Sequence, residues 1–338
     1  MLLVGSDSRA NSEYSYGEDP ESELNDVTML LHISQDHTSA TVVSFPRDTY
    51  VPIPECPDPE GGTFDAMSSQ KINTTLGYGG LACTVLTVEA LTGLDIPFAA
   101  EIKFDGVIEM SNAIGGVPVC VAAPIEDDHT ELYLDAGTHE LKGVDALKFL
   151  RTRYGVGDGS DVTRISSQQV FLSALVRKVK SADTLTDASK LYGLAKAAVS
   201  NMVFSDSLNI DSLVQIAKAL QPIDLSQIVF VQFPTVLSED GSGLEPNEDS
   251  AEALFMALSE DQAVGLTSTD EGRGSVIDPT TVPTAPVETT DTEVTPTPDP
   301  SATTDPSVTP GLTELPDDVL GQTAAEARCT VGRTLEDQ

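Results

Sequence analysis

The sequence predicts an α/β fold, with a central mixed β-sheet flanked by helices. Three observations carry that expectation. Short aliphatic runs (LLV at 2–4, VTMLLHIS at 27–34, ATVVSF at 40–45, IVFVQF at 228–233) read as buried strands. Amphipathic or glycine-closed helices alternate with them. The turn QDHT at 35–38 separates two of the runs by so little that they pair as a hairpin.

In chain order, residues 1–4 read as a core strand from the first residue, so the chain begins mid-fold, which fits either a native start with a hidden strand or a truncated gene product or excised fragment. The strand leaves through Gly5-Ser6-Asp7-Ser8-Arg9, a polar exit at a strand's carboxyl end, where open α/β sheets place their ligands. Residues 11–25 are polar and read as a loop. Asp26 opens the second strand, and the third ends in Pro46-Arg47-Asp48-Thr49, with Asp48 read as the partner that holds Arg47. Lys71-Ile72-Asn73 starts the next unit. Gly79-Gly80 leads into a helix over 81–91 that Gly93 closes, and PFAAEIKF follows as a strand. A short helix over 105–114 ends at Gly115-Gly116, the glycine stop expected where a helix terminates in a left-handed residue. Residues 117–123 read as a buried strand, and 132–141 as a β-hairpin. Later helices are expected over 185–199, 210–220 and 250–258.

The stretch RTRYGVGDGSDVTRISSQQ (151–169) organises the reading. A helix over 144–150 stops, and an extended exit aims Arg151 and Arg153 the same way, because a step of two turns a helical side chain by roughly 200° but keeps an extended one on the same face. Asp161 is read as the N-cap of the next helix. In that helix Arg164 and Gln168 are i, i+4 neighbours beside an apolar stripe of Ile165, Leu172, Val176 and Val179. Three arginines and a glutamine converging there suit an oxyanion with several oxygens, since guanidinium forks pair bidentately with phosphate or carboxylate. The alternative is a solvated amphipathic helix with scattered arginines.

Composition weighs on that choice. The 338 residues carry a formal net charge of −36 with only 18 Lys plus Arg, so clustered basic residues are informative, and nucleic acid is argued against as a partner. Trp is absent and aromatics are 5%, which makes the core aliphatic. No apolar run reaches the ~18 residues of a membrane-spanning helix. From residue 261 the composition turns to Thr, Pro, Asp and Glu, and the segment 261–338 is expected to be a disordered acidic tail behind a domain of residues 1–260 (motif core 1–180). Of the four cysteines, Cys56 and Cys83 are expected to bridge, which requires an oxidising compartment. Cys120 reads as a core residue, and Cys329 pairs with it or with nothing.

The motifs LLVGSDSR, NDVTMLLHIS, SFPRDTYVPIP, KINTTLGYGG, FDGVIEMSNAIGGVPVCV, AGTHELKGVDALKFLRTR and GDGSDVTRISSQQ, in this order, resemble the LytR-CpsA-Psr family of cell-wall glycopolymer ligases. The cysteines and the acidic tail resemble its actinobacterial branch. The resemblance implies an extracytoplasmic phosphotransferase that moves a glycopolymer from a polyprenyl-pyrophosphate carrier to peptidoglycan. A membrane association follows through the lipid and through an N-terminal anchor missing from this chain. It implies that Asp7 and Asp26 hold Mg²⁺, or Mn²⁺ in its place, and that Arg47, Arg151, Arg153, Arg164 and Gln168 grip the pyrophosphate. Arg9 and Lys71 match family positions with a substrate-binding role. Asp7, Asp26, Arg47 and Arg164 carry the catalysis in this scheme. Two departures lower the positive charge: Leu24 stands where many relatives have Arg, and Ser167 replaces the Arg of an RQQ motif. The lipid slot is expected along Phe171 and Leu175, or along the helix over 81–91. Competing readings are a pyrophosphatase acting on lipid-linked pyrophosphate and a non-catalytic module that binds wall glycans.

Overall fold

The computed structural model describes residues 1–8, 23–181, 188–268, 274–280 and 312–338. Its centre is a seven-stranded mixed sheet. The order across it is Met202–Phe204, Ala99–Ile102, β1 (Leu2–Ser6), β2 (Asn25–Ile33), β3 (Ala40–Phe45), Ile228–Gln232 and Gly321–Thr323. The hairpin of β2 and β3 is antiparallel, with Leu30 opposite Val43. The pairs of β1 with Ala99–Ile102 and of β3 with Ile228–Gln232 are parallel. The sheet is therefore mixed, as expected.

Strand alternation splits the helices between the two faces. Leu2 and Val4 of β1, Leu30 and Val43 point to one face, where they pack against α1 (Thr75–Thr92) and α7 (Glu248–Ser259) through Leu76, Val88, Leu254, Phe255 and Leu258. Leu3, Val27 and Met29 point to the other, toward α2 (Phe104–Ala113), α3 (Val144–Arg151) and α4 (Asp161–Ser181). Gly115 and Gly116 end α2 with φ of 80° and 93°, returning the Gly116 N–H to the Ser111 carbonyl at 2.9 Å. The helix expected over 81–91 is the second part of α1, which begins earlier, at Thr75, and kinks at Gly79 and Gly80, the latter with φ 64°. A Cβ on Gly79 would lie 2.7 Å from the Pro57 carbonyl, so glycine there lets the helix reach the loop that Cys56 anchors. The Cys56–Cys83 disulfide forms as expected, with Cα atoms 5.1 Å apart, within bridging range. Two further helices, α5 (Ala188–Asn201) and α6 (Ile210–Leu220), match the expected ones, although the expected start at 185 lies outside the described residues.

Three expectations need correction. Residues 132–141 do not form a hairpin: Leu132–Leu134 pairs back onto Ile125–Asp127, and Gly137–Leu141 pairs onto Val117–Val121. Asp161 is not the cap of α4. It is the first helical residue, and the Ser160 hydroxyl accepts the Thr163 N–H at 3.3 Å.

The third correction concerns the tail. The described segments beyond residue 261 are folded against the domain. Gly321–Thr323 is the edge strand of the central sheet, antiparallel to Ile228–Gln232. Arg328–Thr330 inserts into a second sheet between Val117–Val121 and Ser275–Ile277, and Cys329, opposite Cys120, forms a disulfide with it. Leu315, Val319 and Ala324 are fully buried. Polar groups complete the docking. The buried Gln322 amide donates to the Gln169 carbonyl at 2.8 Å and the Ser173 hydroxyl at 2.9 Å, while Arg177 donates to the Ala324 and Glu326 carbonyls. The tail also holds the loop before α4, since Gly157 N–H donates to the Val331 carbonyl at 3.0 Å and Arg333 N–H to the Gly155 carbonyl at 2.8 Å. The low-complexity stretch 281–311, on which the expectation of disorder chiefly rested, lies outside the described residues.

Candidate active site

An apolar cavity of about 250 Å³ lies between the sheet and α2, α3 and α4. Val27 and Met29 form part of its floor, Val107 and Met110 of α2 with Ile114 just beyond it one wall, and Phe171 and Leu175 of α4 the other. Its polar lining comprises Ser6, Asp26, Ser111, Arg151, Arg164 and Gln168. Phe171 and Leu175 are where the sequence reading put a lipid slot. The alternative, the helix over 81–91, belongs to the opposite face of the sheet, where Leu81, Val85 and Leu91 pack on the core. The α2 wall was missed, although Phe104, Val107, Ser111 and Ile114 recur at helical spacing.

The register of the sheet explains how Asp26 reaches this place. Gly5 pairs with Val27 and Ser6 with Asn25, so Asp26 is the extra residue of a β-bulge. A bulge bends its strand and re-aims a side chain, here onto the cavity rim. Asp7 follows one residue beyond the same bulge. It is pinned to the start of β2: its N–H donates to the Leu24 carbonyl at 3.0 Å, and its Oδ1 accepts the Leu24 N–H at 2.8 Å.

A chain of alternating charges surrounds Asp26. Arg47, in the turn after β3, meets Asp26 Oδ1 through Nη1 at 2.5 Å and Asp48 Oδ2 through Nε at 3.6 Å. Asp48 in turn pairs with Lys71 at 3.0 Å, so Lys71 stands behind Arg47. The reading of Asp48 as the partner of Arg47 agrees with this geometry. Arg164 is 5% exposed, and its Nη2 reaches Asp161 Oδ1 at 2.6 Å and the Asp26 carbonyl at 3.0 Å. Asp161 also accepts the Arg47 backbone N–H at 3.1 Å. Burial pulls the Arg47 guanidinium down, but Asp26, Asp161 and Asp48 outweigh it and leave it raised. At Arg164 burial wins over Asp161 and Asp26, and the guanidinium is lowered. Arginine starts so high that both stay protonated.

Arg151 and Arg153 divide. Arg151 ends α3 on the cavity lining and lies over the Phe104 ring at 4.4 Å. Thr152, fully buried, is tied to Asp127 at 2.5 Å. Arg153 then turns its Nε to the Gly159 carbonyl at 3.0 Å, while its charge is felt at Asp48 and Arg164. Gln168 lines the cavity but spends its amide N–H on the Leu150 carbonyl at 2.9 Å, joining α3 to α4. Arg9 lies outside the described residues. Ser167 is fully buried and donates to the Thr163 carbonyl at 3.2 Å, so this departure from the motif points into the interior.

Asp7 and Asp26 offer hard carboxylate oxygens, the donors that Mg²⁺ takes when phosphate oxygens and water supply the rest of its shell. The three-residue group of potential ligands found among the described residues, Cys120, Asp278 and Cys329, is a disulfide beside a carboxylate and has no thiolate to offer.

The model of the LytR_cpsA_psr family matches residues 1–260. The chain belongs to this family. Among curated members, the cell wall biosynthesis protein LcpA of Corynebacterium glutamicum is 30% identical over 268 residues, which cover 72% of this chain and 51% of LcpA. The teichoic acid transferase TagT of Bacillus subtilis is 27% identical over 233 residues, 67% of each chain. The chain thus spans about half the length of LcpA. The LytR_cpsA_psr fold recurs in solved structures. The LytR-Csp2A-Psr enzyme from Actinomyces oris superposes with a TM-score of 0.58 at 21% identity, covering 76% of this chain and 88% of that one. TagT bound to LI-WTA gives 0.56 at 23% identity, with 77% and 88% covered.

Proposed function

We propose that this protein is a phosphotransferase that moves a glycopolymer from a polyprenyl-pyrophosphate carrier to peptidoglycan, on the extracytoplasmic side of the cell membrane. One observation carries the reading: an apolar cavity whose polar lining includes Arg151, Arg164 and Asp26, the shape that an apolar chain ending in a diphosphate requires. The names of the relatives supply the chemistry, since TagT is a polyisoprenyl-teichoic acid–peptidoglycan transferase. Two disulfides suit an oxidising compartment. No helix among the described residues is long and apolar enough to cross a membrane.

In this reading the cavity takes the lipid and Arg47, Arg151 and Arg164 face the diphosphate. An acceptor hydroxyl attacks the sugar-bearing phosphorus. The new P–O bond forms as the phosphoanhydride bond breaks, the lipid phosphate leaves, and the hydroxyl proton passes to solvent or a carboxylate. Guanidinium forks stabilise charge that grows on the leaving phosphate, and such electrostatic stabilisation accounts for most of catalysis in phosphoryl transfer. Asp7 and Asp26 would hold Mg²⁺, or Mn²⁺, which when bound neutralises diphosphate charge. Arg153 and Lys71 act behind the arginines that face the cavity.

The test is transfer from a synthetic lipid-linked pyrophosphate donor to peptidoglycan, with and without Mg²⁺. Polymer joined to peptidoglycan supports the proposal. Release of polymer into water alone would make the protein a pyrophosphatase, and binding without turnover would make it a glycan-binding module. A second experiment probes the slot. Ile114→Trp or Leu175→Trp should fill it and raise KM for a long-chain donor far more than for one with a single isoprene unit, because each buried CH₂ contributes about 0.8 kcal/mol. Equal effects on both donors would place the lipid elsewhere.

A further inference from the structure

Three carboxylates meet Arg47, and two of them, Asp161 and Asp26, differ in how firmly they are held. Asp161 is 5% exposed and sits at the start of the 21-residue α4, where the helix dipole favours an anion. Its Oδ2 accepts the Arg47 backbone N–H, and its Oδ1, which makes no hydrogen bond, forms a close ion pair with Arg164 Nη2, so it is held by main chain and by charge alike. The side chain of Asp26, 23% exposed, meets Arg47 end-on through a single guanidinium nitrogen. The Nε atoms of Arg47 and Arg164 are buried and make no hydrogen bond, although Arg47 Nε stands 3.6 Å from Asp48 Oδ2, so neither fork is saturated.

From this asymmetry we infer that Asp161 is a fixed positioning residue for both arginines, whereas Asp26 is an exchangeable partner whose place on Arg47 a diphosphate oxygen takes. The inference rests on the lipid-diphosphate reading of the site and deepens it. Exchange has a thermodynamic consequence. The diphosphate frees Asp26 for a divalent cation, and a cation that draws Asp26 away frees Arg47 for the diphosphate. Each ligand must then tighten the other by the same factor. Asp161, buried and doubly bound, takes no part in the exchange and keeps the guanidiniums aimed.

Isothermal titration of the full chain with inorganic pyrophosphate tests this, first in EDTA and then with Mg²⁺, after correction for magnesium pyrophosphate formed in free solution. Asp26→Asn should bind pyrophosphate about tenfold more tightly than the parent in EDTA, the worth of one charge-assisted contact no longer competed for, and its Mg²⁺ coupling should vanish. Asp161→Asn should bind about tenfold more weakly under both conditions, because the forks lose their aim. Simple charge removal beside an anion predicts that both variants tighten, so tighter binding by Asp161→Asn overturns the inference, as does weaker binding by Asp26→Asn in EDTA. Should Asp161→Asn fail to fold by circular dichroism, Asp161→Glu keeps the charge but displaces it. Weaker binding then supports the inference, and parental affinity overturns it. Absence of pyrophosphate binding by the parent would instead remove the lipid-diphosphate reading, and this inference with it.

Discussion

Arg164→Ala is expected to lower kcat/KM for transfer by about 10³-fold or more, the scale at which an arginine acts on a transferring phosphoryl group. Arg164 lines the cavity and is buried, and it is held by Asp161 and the Asp26 carbonyl. Its removal also takes from the buried Asp161 its nearest counter-ion and leaves only Arg47, 3.9 Å away; losing one partner of a buried pair costs up to about 3–5 kcal/mol in other proteins. Two losses are therefore mixed in one variant. Arg164→Lys separates them: an ammonium restores the counter-ion but not the planar fork, so the unfolding midpoint should return while transfer recovers only in part. Full recovery of transfer by lysine would mean that charge alone matters at this position. Undiminished transfer by Arg164→Ala would put the chemistry at another site.

Deleting residues 312–338 is expected to destabilise the domain severely, the reverse of what the composition of the tail suggests. The deletion exposes the edge of Ile228–Gln232, empties the positions of Leu315, Val319 and Ala324, and leaves Arg177 facing no carbonyls. It also removes a cross-link between residues 209 apart, worth about 5 kcal/mol in the chain-entropy limit. Burial of Leu315 and Val319 adds about 1.5–3 kcal/mol each. Cys120→Ala with Cys329→Ala isolates the cross-link from the packing. Denaturant midpoints should fall in the order parent, double cysteine variant, deletion. A deletion variant with the parental midpoint would show that the tail contributes nothing to the fold.

Much of this was legible in the sequence, where local pattern decides the outcome. β1, β2 and β3 announce themselves because their inward residues are aliphatic and their turn is short. The stop of α2 follows from two glycines, and the arginine stretch stood out because basic residues are scarce in this chain. What escaped depends on contacts between residues far apart in sequence. The tail strands are three residues each, and GQT and RCT carry no hydrophobic pattern, so only their pairing partners make them strands. Residues 132–141 contain two real strands whose partners lie on different neighbours. Asp161 looks like any helix-starting aspartate until Arg47 arrives from more than a hundred residues away. The choice between α1 and the α2–α4 side for the lipid was open because both offer aliphatic faces, and only the packing of α4 on the Leu3, Val27 and Met29 face decides which one meets Arg164.

The late arrival of the tail has a bearing on how the chain matures. A chain threaded out of a ribosome, or through a translocation pore, delivers its first residues first. Both sheets therefore stay incomplete until residues 321–330 emerge, and Cys120 waits as an open thiol for its partner. Four cysteines admit three pairings. Cys56 and Cys83, only 27 residues apart, come into reach early and close a short loop at a small entropic penalty. Once they have joined, two competitors are gone, and Cys120 has a single sulfur left to choose. The order of delivery thus acts as a proofreading step for oxidation, with the last strand serving as the seal.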